Sequence, residues 1–343
     1  MAKTTIFDVA KLAGVSIKTV SRVVNREPNV RASTKERVDQ AIAELNYRPD
    51  QSARNLASQR SHLIGLIYDD PSAYEIASTG YITRMQHGAL RACRSADYEL
   101  LIHPCNYRQE NVDDELIALI QHVRPAGMII AAPLSNMSKI TSAIETTGTP
   151  FVRLSPGSDN GEPFSIATND RDISAEMTCY LASLGHRDIA FITGHPSHEA
   201  VSKRFLGYQD GLRQSGLDFS EQLVVAGDNS FGAGESAGAE LLERERAPTA
   251  IFAANDDMAA GVIRAADRLR INVPEQLSVA GCDDIALARQ VYPALTTIRQ
   301  PLGAMAEQAA LALIGGLPLR GTEVIPATLQ VRESTGPAPT EQR

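Results

Sequence analysis

Apolar residues near the N-terminus recur every three to four positions, the spacing of short helices that each bury one face. The first two apolar stripes are Val9, Leu12 and Ala13, followed by Val20, Val23 and Val24. Gly14 lies between them and can adopt a positive φ, and Ser16 can cap the second helix. Two short helices joined by such a turn predict a helix-turn-helix.

Polar residues indicate where the helices of this head begin. Thr5 and Asp8 match a capping box before the first helix, and the second helix is expected over residues 17–24. Ser33 and Glu36 predict that a third helix opens at Ser33. Its expected apolar face is Val38, Ile42 and Leu45.

The second helix has a polar side opposite its valines. At 100° per residue, Lys18, Ser21, Arg22 and Asn25 project away from the apolar stripe. These side chains supply donors for base edges and phosphates, as a helix in the major groove requires. The alternative interpretation is a small three-helix bundle whose polar face is only solvated.

From residue 61 the pattern changes to short apolar runs that alternate with longer amphipathic stretches. The runs that predict strands are residues 63–68, 98–103, 127–132, 151–154, 189–193, 249–253, 277–281 and 295–298. This alternation predicts parallel sheets flanked by helices on both faces. A body of about 280 residues is large for one sheet, so we expect two α/β lobes with a ligand cleft at the strand ends. The predicted domains are therefore a head (1–49), a linker (50–60) and a two-lobed body (61–343).

The charge of the chain is divided unevenly. Residues 1–60 contain 11 Lys and Arg against 6 Asp and Glu, whereas the remainder contains 22 against 35. A basic head on an acidic body is typical of a small polyanion-binding module. We therefore expect the head to bind DNA phosphates, which the body would repel.

Other features narrow the class of protein. No apolar run reaches the roughly 18 residues of a membrane helix, and no secretory signal is apparent, which predicts a cytoplasmic protein without membrane contact. Four widely spaced cysteines argue against a disulfide scaffold or a zinc finger. Since GxSxG, HExxH, P-loop and GxGxxG motifs are absent, no enzyme, metal or cofactor site is predicted. We interpret residues 195–198 (HPSH) as a surface loop and residues 232–234 (GAG) as a helix start.

The head closely resembles the lactose/galactose repressor (LacI/GalR) family of transcription factors. The matching segments are residues 5–25 (TIFDVAKLAGVSIKTVSRVVN), 46–49 (NYRP) and 55–57 (NLA). The body resembles the same family at residues 184–187, 189–192, 204–208, 254–258, 278–284 and 293–298. The resemblance implies a body like that of periplasmic sugar-binding proteins, with three chain crossings between two lobes and an effector between them.

The helix pattern and the resemblance together predict the contacts with double-stranded, pseudo-palindromic operator DNA. The candidate residues are Thr5, Ser16, Ile17, Lys18, Thr19, Ser21, Arg22, Asn25 and Thr34 in the head, and Ala53, Arg54 and Leu56 in the linker. In this family the linker is a hinge helix that orders on DNA, and Leu56 matches a leucine that wedges into the minor groove. A lone helix of this length is marginal in water, so a flexible linker is the alternative in the free protein.

The resemblance also implies a homodimer, because two-fold half-sites require one. Tetramers in this family usually carry an added leucine-heptad tail. Residues 332–343 contain two prolines and no leucine, which cannot form a coiled coil. We therefore expect a dimer.

Arg204, Asn255, Asp283 and Gln300 match effector-binding positions of the family, and five further candidates either depart from the family pattern or could supply a stacking ring in its place. The candidate residues are Tyr81, Arg153, Thr168, Arg204, Asn229, Phe231, Asn255, Asp283 and Gln300. Their charged and amide groups can bind adjacent hydroxyls of a sugar. We interpret Asp256 and Asp284 as helix N-caps without a ligand role. Arg153 stands where the family often has an acidic residue, which favours either an anionic effector or a salt bridge across the lobes.

These features predict a sequence-specific DNA-binding regulator, a repressor of carbohydrate uptake or catabolism genes that a small sugar-like effector releases. A nucleobase corepressor is an alternative within the same class. A solute-binding protein of a transporter is disfavoured by the basic head and the missing signal sequence. A sugar-modifying enzyme is disfavoured because no nucleophile or metal signature is present.

Overall fold

The computed structural model of the protein describes residues 4–24, 30–47, 61–70, 80–157, 164–316 and 320–340. The chain divides into two compact units, Met1–Ser61 and His62–Arg343. The predicted linker lies outside the described residues, as do the candidate DNA contacts Asn25, Ala53, Arg54 and Leu56. Their roles remain predictions.

The described part of the head contains the helices α1 (Ile6–Ala13), α2 (Ile17–Val24) and α3 (Ala32–Glu44). Its buried core is formed by Val9, Ala10, Ala13, Val20, Val23, Val38 and Ala41. Leu12 was expected in this core, but 46% of its surface is exposed. The buried arc of α1 is centred between Val9 and Ala10, and at 100° per residue this direction lies about 100° from Leu12.

Local capping at the first two helices agrees with the sequence pattern. The Asp8 carboxylate accepts hydrogen bonds from the backbone N–H and the hydroxyl of Thr5, at 2.9 and 2.7 Å. Gly14 ends α1 with φ 63°. The Ser16 hydroxyl accepts a hydrogen bond from the Thr19 N–H at 3.2 Å and so caps α2. The predicted helix-turn-helix geometry is confirmed.

The start of α3 differs from the prediction. The helix begins at Ala32, and Arg31 is its N-cap residue, with an extended backbone. Ser33 therefore lies inside the first turn, and the predicted capping box of Ser33 with Glu36 is wrong. The chain turns into the helix one residue earlier than the polar pattern indicated.

The first lobe is built on a sheet of order β11-β5-β4-β3-β1-β2, in which the described neighbours are parallel. Its strands are β1 (Leu63–Asp69), β2 (Glu99–Cys105), β3 (Gly127–Ile130), β4 (Phe151–Leu154), β5 (Ser165–Ala167) and β11 (Thr322–Val324). Its helices are α4 (Gly80–Ser95), α5 (Val112–Val123), α6 (Ser138–Thr146) and α11 (Leu302–Gly315). Two apolar clusters, one on each face, form the core of this lobe.

The second lobe is built on a sheet of order β12-β10-β9-β8-β6-β7. Its strands are β6 (Ile189–Ile192), β7 (Val224–Val225), β8 (Ala250–Ala253), β9 (Ser278–Cys282), β10 (Thr296–Arg299) and β12 (Thr328–Gln330). Its helices are α7 (Asp170–Ser183), α8 (Glu199–Gln214), α9 (Phe231–Leu242) and α10 (Asp256–Arg268). Strand β12 is antiparallel to β10, while the other described pairs are parallel. The predicted fold of two α/β lobes is confirmed.

Within the described residues the chain crosses between the lobes at residues 168–169, 300–301 and 325–327. The Asn169 side-chain oxygen accepts a hydrogen bond from the Ala327 N–H at 2.8 Å. The Ile325 N–H donates to the Ala167 carbonyl at 2.9 Å. The first and third crossings are thus bonded side by side, which places the ends of β5 and β11 close together.

The eight predicted strands are all present, and their ends shift by at most two residues. The sequence analysis did not predict β5, β7, β11 and β12. These strands have two or three residues each. Segments this short contain too few positions to show an alternating or apolar pattern.

A buried ion cluster follows β9 in the second lobe. The Asp284 side chain is fully buried and contacts Arg289 at 3.1 Å, Arg299 at 2.6 Å, and Arg332. Asp284 is therefore not a helix N-cap, and that prediction is wrong. Burial by itself raises the pKa of Asp284, but the hydrogen bonds from Arg299 and Arg332 and the nearby positive charges lower it below its ordinary value.

Asp284→Ala should lower the free energy of unfolding by about 3 kcal/mol, because it leaves the Arg332 guanidinium, which is only 15% exposed, without its buried counter-charge, while Arg289 and Arg299 are exposed enough to be solvated. Chemical denaturation at pH 7 measures this change. The pKa of Asp284 in the folded state lies below its value of about 3.9 in the unfolded chain. Ionised Asp284 therefore stabilises the folded protein fully above about pH 3.9, and this stabilisation is lost as the pH falls through the folded-state pKa.

The matched control is Asp267→Ala, which removes an exposed carboxylate paired with Arg264 at 3.3 Å. The control should change stability by less than about 1 kcal/mol. Equal stabilities of the two variants would contradict the role assigned to Asp284.

Candidate functional site

The exposed side of α2 carries the predicted polar residues of the head. Lys18 and Arg22 are exposed and Ser21 is half-buried, whereas Val20 and Val23 on the opposite side are buried. A second helix of a helix-turn-helix presents such a face to base edges in the major groove. Arg22, whose guanidinium is the kind of bidentate donor that reads guanine, lies on this exposed side, and its contact with a base remains a prediction.

The remaining described candidates of the head lie at or near its surface. Thr5, Ser16 and Ile17 are exposed, and Thr19 and Thr34 are half-buried. The sequence analysis did not name Phe7, which lies in the first turn of α1 with 65% of its surface exposed. Phe7 lies outside the apolar stripe of α1. This position in the sequence could have indicated that its ring faces outward.

In the second lobe, buried polar side chains meet at the carboxyl ends of three neighbouring strands. Asn255 follows β8, Asp283 follows β9 and Gln300 follows β10, and all three are buried. The Gln300 amide nitrogen donates a hydrogen bond to the Asp283 carboxylate. The Gln300 side-chain oxygen has no hydrogen-bond partner among the described residues. Such strand ends are where ligands bind in α/β sheets.

Arg204 of α8 joins this cluster from the side and is 6% exposed. Its Nε donates to the Asp170 carboxylate at 2.9 Å, and its Nη1 donates to the Ala254 carbonyl at 2.6 Å. The same Nη1 lies 3.9 Å from the Asp283 carboxylate. Asp170, the first residue of α7, was not identified from the sequence, because its partner lies 34 positions away.

The electrostatic state of the cluster is set by burial. Burial raises the pKa of Asp283 to about 7, although the charge of Arg204 acts in the opposite direction. Burial, together with the charges of Arg204 and His195, lowers the pKa of His198 to about 4. Asp283 also has φ 121°, a backbone conformation that is rare for residues other than glycine. The site therefore holds an incompletely compensated carboxyl group in a strained position.

The first lobe contributes Tyr81, at the start of α4. Its pKa is raised by burial and by the negative charge of Asp283, with Arg204 acting in the opposite direction, so the phenol stays protonated at neutral pH. The Arg84 guanidinium, three residues further along α4, donates a hydrogen bond to the Asp283 carbonyl at 3.1 Å, so the start of α4 lies against the second-lobe loop that carries Asp283. Arg153 of β4 is 5% exposed, and Ser155, two residues further along the chain, lies beside Tyr81. Residues of both lobes thus face a common site.

Two of the other candidates, Asn229 and Thr168, adjoin residues of this site. The Asn229 carbonyl accepts a hydrogen bond from the Asn255 side chain at 2.9 Å. Phe231 is half-buried at the start of α9. Thr168 lies at the first crossing and lines a cavity of about 580 Å³, which Asp170 also lines. The structure therefore links Asn229 and Thr168 to the cluster indirectly, through Asn255 and Asp170.

Asp256 does not cap a helix, contrary to the prediction. Asn255 is the N-cap of α10, and its side-chain oxygen accepts a hydrogen bond from the Met258 N–H at 3.0 Å. The buried Asp256 carboxylate accepts hydrogen bonds from the Thr297 hydroxyl and from the Ile285 N–H. Asp256 thus fastens the loop after β9 to α10.

The two weak motifs have structural roles. Residues 195–198 precede α8 and are partly exposed, and His195 contacts the Ser197 hydroxyl at 2.6 Å. In the ranges that the structure describes, no group of three His, Cys, Asp or Glu side chains is placed to hold a metal ion. Gly234 lies within α9, where a Cβ would come within 2.2 Å of the Met258 carbonyl. This glycine therefore permits close packing of α9 on α10.

Known proteins share both parts of this architecture. The model of the family "Bacterial regulatory proteins, lacI family" matches residues 5–50, and that of a "Periplasmic binding protein-like domain" matches residues 178–335. The HTH-type transcriptional regulator GalR of Escherichia coli (strain K12) is 34% identical over 336 residues, which cover 96% of this chain and 95% of GalR.

Two solved structures are similar over nearly the whole chain. The lac repressor dimer bound to operator and the anti-inducer ONPF has a TM-score of 0.79 at 28% identity and covers 98% of this chain and 100% of that one. The complex of the transcriptional regulator CelR with cellobiose has a TM-score of 0.73 at 27% identity and covers 97% of this chain and 100% of that one.

The chain belongs to the lacI family of bacterial regulatory proteins, as the resemblance of its sequence implied. It is a transcriptional regulator with a helix-turn-helix head and a two-lobed α/β body, and not an enzyme. No helix in the described ranges combines the length and the apolar character needed to span a bilayer.

Arg22→Ala should weaken binding to a selected operator by about 1–3 kcal/mol and relax discrimination at one base pair, because a bidentate contact to guanine is lost. Fluorescence anisotropy at fixed salt, with operator variants at each position, measures both effects. Lys11→Ala is the matched control, since it removes one positive charge from α1 and should leave base discrimination intact. Full discrimination by Arg22→Ala would exclude the contact.

Proposed function

We propose that this regulator represses genes of carbohydrate uptake or catabolism and is released from its operator by a small sugar-like effector. The observation that carries the proposal is the buried cluster of Arg204, Asn255, Asp283 and Gln300, with Tyr81 beside it from the other lobe. A cluster of directed donors and acceptors at strand ends suits a polyhydroxyl ligand. The similarity to the CelR–cellobiose complex supports a sugar.

The proposed working form is a homodimer that binds a pseudo-palindromic operator in the cytoplasm. A dimer matches two half-sites by its own two-fold symmetry. The similarity to a lac repressor dimer bound to operator supports this form. The basic head supplies phosphate contacts, and the exposed side of α2 supplies base contacts.

The chemistry of the cluster indicates how a sugar would be held. The Gln300 side-chain oxygen and the Asp283 carboxylate accept hydrogen bonds from ligand hydroxyls, and the Arg204 guanidinium donates to ligand oxygens. Asp170 holds Arg204 in position. A ligand that contacts both lobes favours one lobe arrangement over the other, and only this difference in affinity can alter operator binding.

A second candidate is an effector with a negatively charged group, such as a sugar acid or a sugar phosphate. Its basis is Arg153, a buried guanidinium at the carboxyl end of β4 in the first lobe. A buried guanidinium binds carboxylates and phosphates bidentately.

Asp283→Ala should bind operator like the wild type but lose its response to the active sugar, because the residue belongs to the effector cluster. Leu56→Ala, in the predicted hinge, should show the reverse: the body still binds sugar, while specific operator binding drops. Operator titrations with and without a sugar panel measure both, and the wild-type coupling should be about 1–3 kcal/mol. Asp218→Ala, an exposed carboxylate, is the control. A wild-type response in Asp283→Ala would refute the cluster as the effector site.

Arg153→Asp tests whether the effector is anionic, because it replaces a buried positive charge by a negative one. If the effector is anionic, the wild type should respond to a sugar acid such as D-galacturonate more strongly than to D-galactose, and the variant should lose at least tenfold in affinity for the acid. Isothermal titration calorimetry with both sugars measures the change. Arg94→Asp makes the same charge change at an exposed position of α4 and should have no effect. Equal responses of the wild type to both sugars would favour a neutral effector.

A further inference from the structure

The start of α4 docks onto the loop that follows β9, although the two segments belong to different lobes. The Arg84 guanidinium donates hydrogen bonds to two consecutive carbonyls, that of Asp283 at 3.1 Å and that of Asp284 at 2.8 Å. One turn earlier, a Cβ on Gly80 would lie 3.0 Å from the Ile285 side chain. The first turns of α4 therefore contact residues 283–285 at several points.

This loop is held in an unusual conformation. Asp283 and Asp284 have φ values of 121° and 52°, both in the region that side-chain-bearing residues rarely adopt. Such strain persists only where surrounding contacts over-determine the backbone. Two of those contacts are already described, namely the arginines around Asp284 and the hydrogen bond from the Ile285 N–H to Asp256. Arg84 is the contact that comes from the other lobe.

Asp283 thus contacts both lobes, one through its side chain and the other through its backbone carbonyl. Its side chain belongs to the cluster with Gln300 and Arg204, and its carbonyl is bound by Arg84. A ligand group that engages the carboxylate changes the forces on a strained residue whose backbone is bonded to the other lobe. Because one residue serves both contacts, movement of the side chain and movement of the carbonyl are coupled.

We infer that Arg84 is a positioning residue that transmits effector binding at Asp283 to the arrangement of the two lobes. This inference rests on the proposed function for the identity of the ligand, but the clamp itself is a property of the protein alone. Arg84 stabilises the lobe arrangement described here through the carbonyls of residues 283 and 284. It contributes to the response to the effector and not to the affinity for it.

The test compares Arg84→Met with Arg91→Met. Arg91 lies on the same helix, but its guanidinium pairs with Glu307 of the same lobe at 2.7 Å and is largely exposed. Arg84→Lys is the conservative variant, because an ammonium can still donate to both carbonyls. All variants are made in the full-length protein, and a thermal unfolding curve confirms that each one folds.

The first measurement is the ratio of operator dissociation constants with and without saturating sugar, using D-galactose, D-ribose, cellobiose and D-galacturonate as probes. Arg84→Met should reduce this ratio at least fivefold towards one, while the sugar dissociation constant from calorimetry changes less than threefold. Arg84→Lys should retain most of the ratio, and Arg91→Met all of it. An unchanged ratio in Arg84→Met, or a tenfold loss of sugar affinity, overturns the inference.

The second measurement needs no ligand. Hydrogen exchange of the amides in residues 284–286 should be at least fivefold faster in Arg84→Met than in the wild type or in Arg91→Met. Equal exchange in the two methionine variants overturns the clamp. If no sugar of the panel alters operator binding by the wild type, the proposed function fails, and the exchange measurement still decides the inference about Arg84.

Discussion

Two neighbouring carboxylates at the end of β9 are buried in different electrostatic surroundings, and the arrangement of the body depends on this contrast. Three arginines compensate Asp284, whose pKa is lowered in spite of its burial. Asp283 shares the single guanidinium of Arg204 with Asp170, and burial raises its pKa to about 7. Taking a carboxylate out of water costs several kcal/mol unless charges and hydrogen bonds replace the solvent. The loop is therefore anchored at Asp284, while the carboxyl group of Asp283 can still bind a ligand.

This anchoring gives the site its position between the lobes. The carboxyl ends of β8, β9 and β10 bring Asn255, Asp283 and Gln300 together, as parallel strands require. The crossing of the chain after β10 begins at Gln300, so one of the site residues is also part of the connection between lobes. A ligand bound here can therefore contact Gln300, which leads into one of the connections between the lobes.

Within its described residues, the head is stabilised by apolar packing and helix capping and not by buried charges. Its core consists of small and β-branched residues, mainly alanine and valine, so the helices are held by a few well-packed contacts and by capping. A small domain of this kind buries little surface, and the proposed source of its specificity is the polar side of α2. The division of charge along the chain restricts DNA binding to the head, since the acidic body repels phosphates.

Local features of this protein were predictable from its sequence. The Thr5–Asp8 cap, the turn at Gly14 and the bounds of α2 depend on contacts within four residues, and strands of four or more residues leave a continuous apolar run. The strand-end positions of Asp283 and Gln300 followed from the same runs. The resemblance to the family extended these local patterns to the two-lobed body.

The tertiary structure decided what depends on distant partners. Asp284 meets an arginine 48 positions away, and Asp170 pairs with Arg204 at a separation of 34. The exposure of Leu12 and the two-residue strand β7 likewise depend on what packs beside them. Helix periodicity and capping are properties of a short segment, whereas the burial and pairing of a charge are properties of the segments that the fold brings around it.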